Sequence, residues 1–441
     1  MMKAAAGTLL LLCFVARGHA VENWPQWRGP ALNGGSDSTN LPVSWSETRN
    51  VRWKTPLPSW SAATPAVWGD RIFVMSGSPA GEGAEAPTKK GSSRGGREGC
   101  DLLLLCLSMK DGSVIWQRTL DNENAHYQKQ NMASPSPVTD GKSVWAMTGS
   151  GVLTTLDMAG KVIWRREVQK DYGPFGLDFG YASSPLLFGR KLIIQVLQSR
   201  DDKDQSYLTA FDADTGRTVW KVDRPTDAID ESPDSYTSPT LMRYSDRTEL
   251  IIGGGDYVTG HDLATGQEIW RCGGTNPNRD PKYRQVGSPL VVDGMVFMSA
   301  RKGPLVACKG GGHGNVTATH LAWTSAAAPD VPTPVGDAKY LYILHDIGMF
   351  SCLDAKTGKP YYLKERLPDG PYSASPLLAD GKVYVINENA RTTVLAAGAE
   401  FKILSENQLD GGRTLSSIAC AGKELFIRTS KCLYCISESP K

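Results

Sequence analysis

Residues 210–220 read Ala210-Phe211-Asp212-Ala213-Asp214-Thr215-Gly216-Arg217-Thr218-Val219-Trp220, an apolar run that reaches a Thr-Gly turn and resumes with an indole four positions after the glycine. The same spacing links Gly112 to Trp116, Gly160 to Trp164, Gly266 to Trp270, and Gly358 to Tyr362. A sixth copy is irregular, Gly314 being followed by Trp323. Asp212, Asp262 and Asp354 stand four residues before their glycines. Self-similarity at this period decides the architecture before any single residue is weighed.

Each unit opens with a Ser-Pro or Thr-Pro step: Thr64-Pro65, Ser136-Pro137, Ser184-Pro185, Ser238-Pro239, Ser288-Pro289, Thr333-Pro334 and Ser375-Pro376. A tight turn follows in most units, at Gly69-Asp70, Asp140-Gly141, Asp293-Gly294, Gly336-Asp337 or Asp380-Gly381. Such dipeptides between apolar runs signal hairpins, because Gly and Asp tolerate the positive φ that short turns need. Each unit therefore reads as four short antiparallel strands; in the third unit they fall at 185–188, 191–197, 207–212 and 218–222. The tryptophans at 116, 164, 220, 270 and 323 are spaced as propeller blades are. An eighth unit, 415–436, has three strands and lacks the Trp strand, which the other end supplies as Val51-Arg52-Trp53-Lys54. The expected fold is all-β: one eight-bladed propeller over 51–437, its last blade closed by the N-terminal strand, after an extension at 21–50.

The Ala210–Trp220 pattern resembles the tryptophan-docking repeat of the pyrroloquinoline quinone (PQQ) type of eight-bladed propeller, a superfamily that includes quinoprotein alcohol dehydrogenases and the BamB assembly lipoprotein. The opening Asn23-Trp24-Pro25-Gln26-Trp27-Arg28-Gly29-Pro30 resembles a subgroup of secreted bacterial propellers. The resemblance implies the fold across nearly the whole chain but no single activity, since one fold hosts unrelated functions.

Residues 1–20 combine a basic start at Lys3, an apolar run from Leu9 to Val15, and small residues Gly18 and Ala20 at the cleavage positions, the layout of a secretory signal peptide. Lipid attachment at Cys13 is the alternative, opposed by Leu12 where a small residue is favoured. Removing Lys3 and Arg17 leaves 46 basic against 46 acidic residues. That balance argues against nucleic-acid binding. No second long apolar segment suggests a transmembrane span. Eight cysteines follow residue 20, an even number that permits disulfides in an exported chain. Cys432 and Cys435 sit in a predicted strand where residues three apart face opposite ways, so they read as buried structural thiols. The segment 79–99, rich in Gly, Ser and charge and carrying Lys89, Lys90, Arg94 and Arg97, reads as a solvated insertion.

In a four-stranded blade the turns between first and second strands, and between third and fourth, share one end of the ring. Here nearly all of those turns are short. The long connections, 79–99, 121–133, 169–181, 198–206, 223–236 and 273–286, share the other end, which is the expected working surface. Tyr181, Tyr236 and Tyr372 precede their Ser/Thr-Pro steps on that side, as ligand contacts or as caps of the inner strands. Arg301, Lys302, His345, Asp346, Asn387, Glu388, Asn389 and Arg391 cluster where second strands turn back near the axis. The aromatic series Trp53, Trp116, Trp164, Trp220, Trp270, Trp323 and Tyr362 reads as packing between blades, and the aspartates before the Thr-Gly turns as acceptors of backbone hydrogen bonds. His313 and His320, lacking a third ligand, make a weak zinc pair, and no metal site is expected.

Two functions compete. The first is an exported, non-catalytic binding or scaffold propeller that takes a protein or a small polar ligand at the channel mouth. The second, implied by the resemblance alone, is a PQQ- and calcium-dependent oxidoreductase of alcohols or sugars, with Lys302 or Arg391 polarising the quinone and Asp346 as base. Against it, no Cys-Cys dipeptide occurs, and the one G-x-S-x-G string, Gly91-Ser92-Ser93-Arg94-Gly95, lies in the solvated insertion and not on a strand-to-helix turn where such a nucleophile works. A BamB-like role in outer-membrane assembly is a further alternative, at odds with the poor lipid-attachment site.

Overall fold

The computed structural model describes residues 23–79, 101–127, 129–198 and 206–438. The expected leader, most of the 79–99 insertion, Cys100 and most of the 198–206 connection lie outside them. Eight antiparallel sheets form a propeller, as the repeats led us to expect. Blades 1 to 7 occupy 66–121, 138–167, 186–223, 240–272, 290–325, 335–366 and 377–408. Blade 8 takes three strands from 419–436 and its fourth from Val51–Pro56, which pairs antiparallel with Cys432–Ile436. The two ends of the chain thus share one sheet and close the ring.

Strand composition follows position in the blade. Lys191–Val196, the second strand of blade 3, is buried along nearly its whole length because a neighbouring blade covers each face of the sheet. The outermost strand, Thr218–Asp223, buries Trp220 and leaves its neighbours exposed. Every outermost strand carries a register shift just before the docking position, at Arg52, Ile115, Ile163, Val219, Ile269, Ala322, Tyr361 and Leu404. A bulge adds an unpaired residue and extra twist. It turns the following side chain toward the next blade.

Docking pairs each indole with a glycine. Trp116 Nε1 donates to Met158 O at 3.0 Å, and a Cβ at Gly160 would stand 2.7 Å from that ring. Trp53, Trp164, Trp220 and Trp323 donate in the same way to Met109, Ala213, Leu263 and Ala355 of the next blade. Tyr362 meets Phe401 of blade 7 edge-on, 5.7 Å between centroids. Trp270 departs from the pattern: its Nε1 donates to Glu249 Oε2 of its own blade, at 2.8 Å. The irregular copy explains this, because Gly314 pairs by backbone with Trp270 in an added parallel strand, Gly314–Asn315, on the outer edge of blade 4. The aspartates sit as turn acceptors, Asp212, Asp262 and Asp354 Oδ1 each taking the backbone and hydroxyl hydrogens of the following threonine.

The Ser/Thr-Pro steps form an inner belt. The N–H of Thr64 donates to Ser136 Oγ, that of Ser136 to Ser184 Oγ, and so on through Ser238, Ser288, Thr333 and Ser375 to Ser417. A residue before proline is held extended, which sets each hydroxyl toward the preceding blade. Between blades 8 and 1 the belt changes form, and Ser416 Oγ donates to Ala63 O.

The channel is plugged from the short-turn end by the extension, a feature absent from the sequence reading. Trp24 exchanges backbone hydrogen bonds with Val67 of blade 1. Pro25 O accepts from Thr139 of blade 2, and Gln26 Oε1 from Leu187 of blade 3. Gly35–Ser36 then pairs parallel with the innermost strand of blade 7. Arg28 is 4% exposed and donates to the carbonyls of Pro334, Pro376 and Asn33, so its guanidinium ties blades 6 and 7 to the plug. Burial pulls its pKa down to about 9. Gly29, at φ +77, leaves no room for a Cβ against the Trp24 ring, 2.6 Å away.

Candidate functional site

At the long-loop end a charged network links connections that belong to different blades. Lys129 lies on the connection from blade 1 to blade 2. Neighbouring side chains brace that connection: Asn131 Nδ2 donates to Trp60 O at 2.9 Å and Gln130 Nε2 to Gly180 O at 2.9 Å. Lys129 Nζ reaches Glu388 Oε1 of blade 7 at 2.7 Å. Glu388 is 5% exposed, accepts Ser373 Oγ at 2.6 Å, and is gripped by Arg413 Nη2 at 2.9 Å and Nε at 3.1 Å. Burial alone would raise the Glu388 pKa; the hydrogen bonds of Lys129 and Ser373 and the charges of Lys129 and Arg413 bring it below the ordinary carboxylate value.

A second group faces Lys129. Asp346 Oδ1 accepts the backbone N–H of Asp330 at 3.2 Å and of Val331 at 3.1 Å. Arg301 Nε stands 4.0 Å from Asp330 Oδ2, while Asp330 Oδ1 is buried with no hydrogen-bond partner among the described residues. Burial and the charge of Asp346 push the Asp330 carboxyl up, against the pull of Arg284, Arg301 and Lys129. Burial raises Asp346 too. Arg284 binds Glu231 at 2.5 Å and lies 4.6 Å over the Phe179 ring, whose backbone N–H donates to Tyr236 Oη at 3.1 Å. Beside the network a depression of 420 Å³ is lined by Pro371, Glu388, Asn389, Leu409, Gly412 and Arg413. A larger one of 630 Å³ lies over blades 1 and 2 and the connection that follows them, with Asp121, Tyr127, Arg165, Glu167 and Phe175 in its walls.

The sequence-derived candidates divide by what burial does to them. Tyr181 is 2% exposed and stacked on Phe175, and Tyr372 is fully buried with its Oη on Pro368 O. Both belong to apolar clusters shared by neighbouring blades, whereas Tyr236 is half-buried, edge-on to Phe179. Asn387 is spent on its own turn, Oδ1 accepting the N–H of Asn389 and of Arg391. Lys302, Asn389 and Arg391 are exposed on the rim, Arg391 leaning on Gln408 and Glu406. His345 is half-buried, 3.4 Å from Ser351 Oγ, and burial lowers its pKa. Lys129, Arg284, Asp330, Ser373 and Arg413 belong to the network and escaped the sequence reading, because none repeats from unit to unit. One signal existed: Asp330 precedes Thr333-Pro334 by the same three residues that separate Tyr181 and Tyr372 from their Ser-Pro steps.

The described residues offer no ready-made acidic cluster for the calcium of a PQQ centre. Calcium takes six to eight oxygen ligands, and among the described residues no three of His, Cys, Asp and Glu converge on a point. Glu388 is engaged by cations, and Asp346 Oδ1 by backbone.

Fold and repeat define an eight-bladed propeller of the PQQ type. The sequence profile described as "Outer membrane protein assembly factor BamB" matches residues 35–173, 104–324 and 312–431, and the chain belongs to that family. The crystal structure of BamB from Moraxella catarrhalis is similar, with a TM-score of 0.59 and 16% identity over 87% of this chain and 99% of that one. A europium-containing methanol dehydrogenase superposes with a TM-score of 0.64 at 12% identity, covering 92% and 89% of the two chains. At these identities the likeness is one of fold. Subunit 1 of methanol dehydrogenase [cytochrome c] from Methylorubrum extorquens is 30% identical over 80 residues, which is 17% of this chain and only 12% of that protein.

Proposed function

We propose that this chain is an exported, non-catalytic binding propeller that engages a protein or a small polar ligand through its long-loop face. The observation that carries the reading is the two-ended asymmetry. Residues 24–36 stop the channel at the short-turn end, while at the other end Lys129, Glu388 and Arg413 bridge blades 1, 7 and 8 beneath an exposed rim of Lys302, Asn389 and Arg391. Rigid scaffold below and charged loops above suit recognition. Assembly work of the kind named in the family description is the second reading, supported by the match along the chain. Export rests on residues 1–20 and implies a mature chain beginning near Val21.

Amine-reactive cross-linking in the native cell envelope tests the first reading. Links to other proteins are expected at Lys129, Lys170 and Lys302 and not at Lys142, Lys161 or Lys359 on the short-turn face; the reverse distribution would overturn it. Purified protein given PQQ and calcium is expected to show no dye-linked oxidation of alcohols or sugars. Sustained turnover would restore the dehydrogenase reading.

A further inference from the structure

The contact between blades 4 and 5 is built unlike its neighbours. Trp270 turns to Glu249 and lies over Gly260 of its own blade, and the backbone after the third strand of blade 5 meets other groups: a Cβ at Gly310 would run into Met242 and Tyr244, not an indole. At this same interface Cys272 ends the fourth strand of blade 4 and Cys308 lies in the third strand of blade 5. Both are free thiols, fully buried in one apolar cluster with Met242, Val258, Val296 and Val306, and each is the leading influence on the other's ionisation, Cys308 being pushed up and Cys272 pulled down. The strand ends approach closely here, since a Cβ at Gly274 would stand 3.4 Å from Val306, two residues before Cys308.

We propose that Cys272 and Cys308 form a disulfide that staples blade 4 to blade 5, at the interface where the indole N–H makes no hydrogen bond to the next blade. The oxidant is a low-molecular-weight disulfide. One cysteine thiolate attacks it, giving a mixed disulfide and releasing one small thiol; the second thiolate attacks the protein-bound sulfur and expels the other small thiol. Two cysteines are oxidised and one small disulfide is reduced to two thiols, which carry away both protons. Because both sulfurs are enclosed in the finished ring, the exchange belongs to the folding chain.

The test is synthesis of the full chain in a buffer of oxidised and reduced glutathione. The folded fraction is then denatured, alkylated and mapped by mass spectrometry. The expected result is a Cys272–Cys308 linked peptide, neither residue alkylated, and an unfolding midpoint that falls by a few degrees when reductant is added. Cys272→Ser is expected to leave Cys308 alkylated and to abolish the effect of reductant. Alkylation of both cysteines in the folded unaltered chain would overturn the proposal, as would linkage of either to a different cysteine or a midpoint indifferent to reductant.

Discussion

An indole and a glycine, paired across each gap, set the strength of the ring at the scale of residues. Gly160→Ala places a methyl against Trp116 at φ +79 and is expected to cost about 2–3 kcal/mol. Gly314→Ala, with positive φ but open space, should cost about 1 kcal/mol. Urea midpoints of the two variants check the order, and equal losses would mean that docking contributes little. The mouth carries charges of opposite sign in their effect. The Glu388 pKa is held below its unfolded value, near 4.3, so its stabilisation is present above that pH and fades as pH falls through the folded pKa. Glu388→Gln is expected to destabilise near pH 7 by about 1 kcal/mol, modest because Lys129 and Arg413 are about half exposed, and to converge with the unaltered protein once the pH has fallen below the folded pKa of Glu388. The Asp330 pKa is raised, so ionising it works against the fold above the unfolded value, near 3.9. Asp330→Asn should therefore stabilise near pH 7 and do nothing below about pH 3. Thermal unfolding across pH 3–7 tests both signs. The docking residues were legible in the sequence because they recur at a fixed offset. The mouth network was legible only in part: Arg301, Asp346 and Glu388 stand where second strands turn back, but Lys129 is 259 residues from Glu388 and nothing in the repeat links the two.

Among elements, the extension is the piece whose role only the structure shows. Its partners are scattered over blades 1, 2, 3, 6 and 7, and it has no repeated counterpart from which a register could be inferred. Arg28 is its anchor. Arg28→Ala removes three charge-assisted hydrogen bonds to carbonyls in a buried site and is expected to cost about 2–4 kcal/mol. Arg28→Lys cannot reproduce the planar fork and should recover only part of the loss. The local signature is faster hydrogen exchange at the Leu378 amide, which donates to Gly34 O. An unchanged Leu378 rate in Arg28→Ala would show that the guanidinium does not hold the plug in place. The strands themselves were readable to within a residue or two, as in blade 3, where 191–197 was expected and Lys191–Val196 is found. Bulges escaped because the added residue, such as Val219 or Ile163, is an ordinary aliphatic with no compositional mark.

For the molecule as a whole, closure joins residues 51–56 to 432–436 and makes the first strand after the extension depend on the last strand of the chain. That long-range pairing converts a row of blades into a ring with two distinct ends. The count of eight and the closing strand followed from one missing Trp strand at the C-terminal unit and one spare at Trp53. What the closed ring presents at its mouth depends on loops of individual sequence, which periodicity does not describe. Hydrogen exchange followed by mass spectrometry reads the closure directly. Those amides of 51–55 that donate across to 432–436 should exchange as slowly as their partners, both limited by unfolding of the entire ring. Exchange of 51–56 in seconds while 432–436 stays protected would contradict a closed propeller, and with it the assignment of a stopped end and a working end.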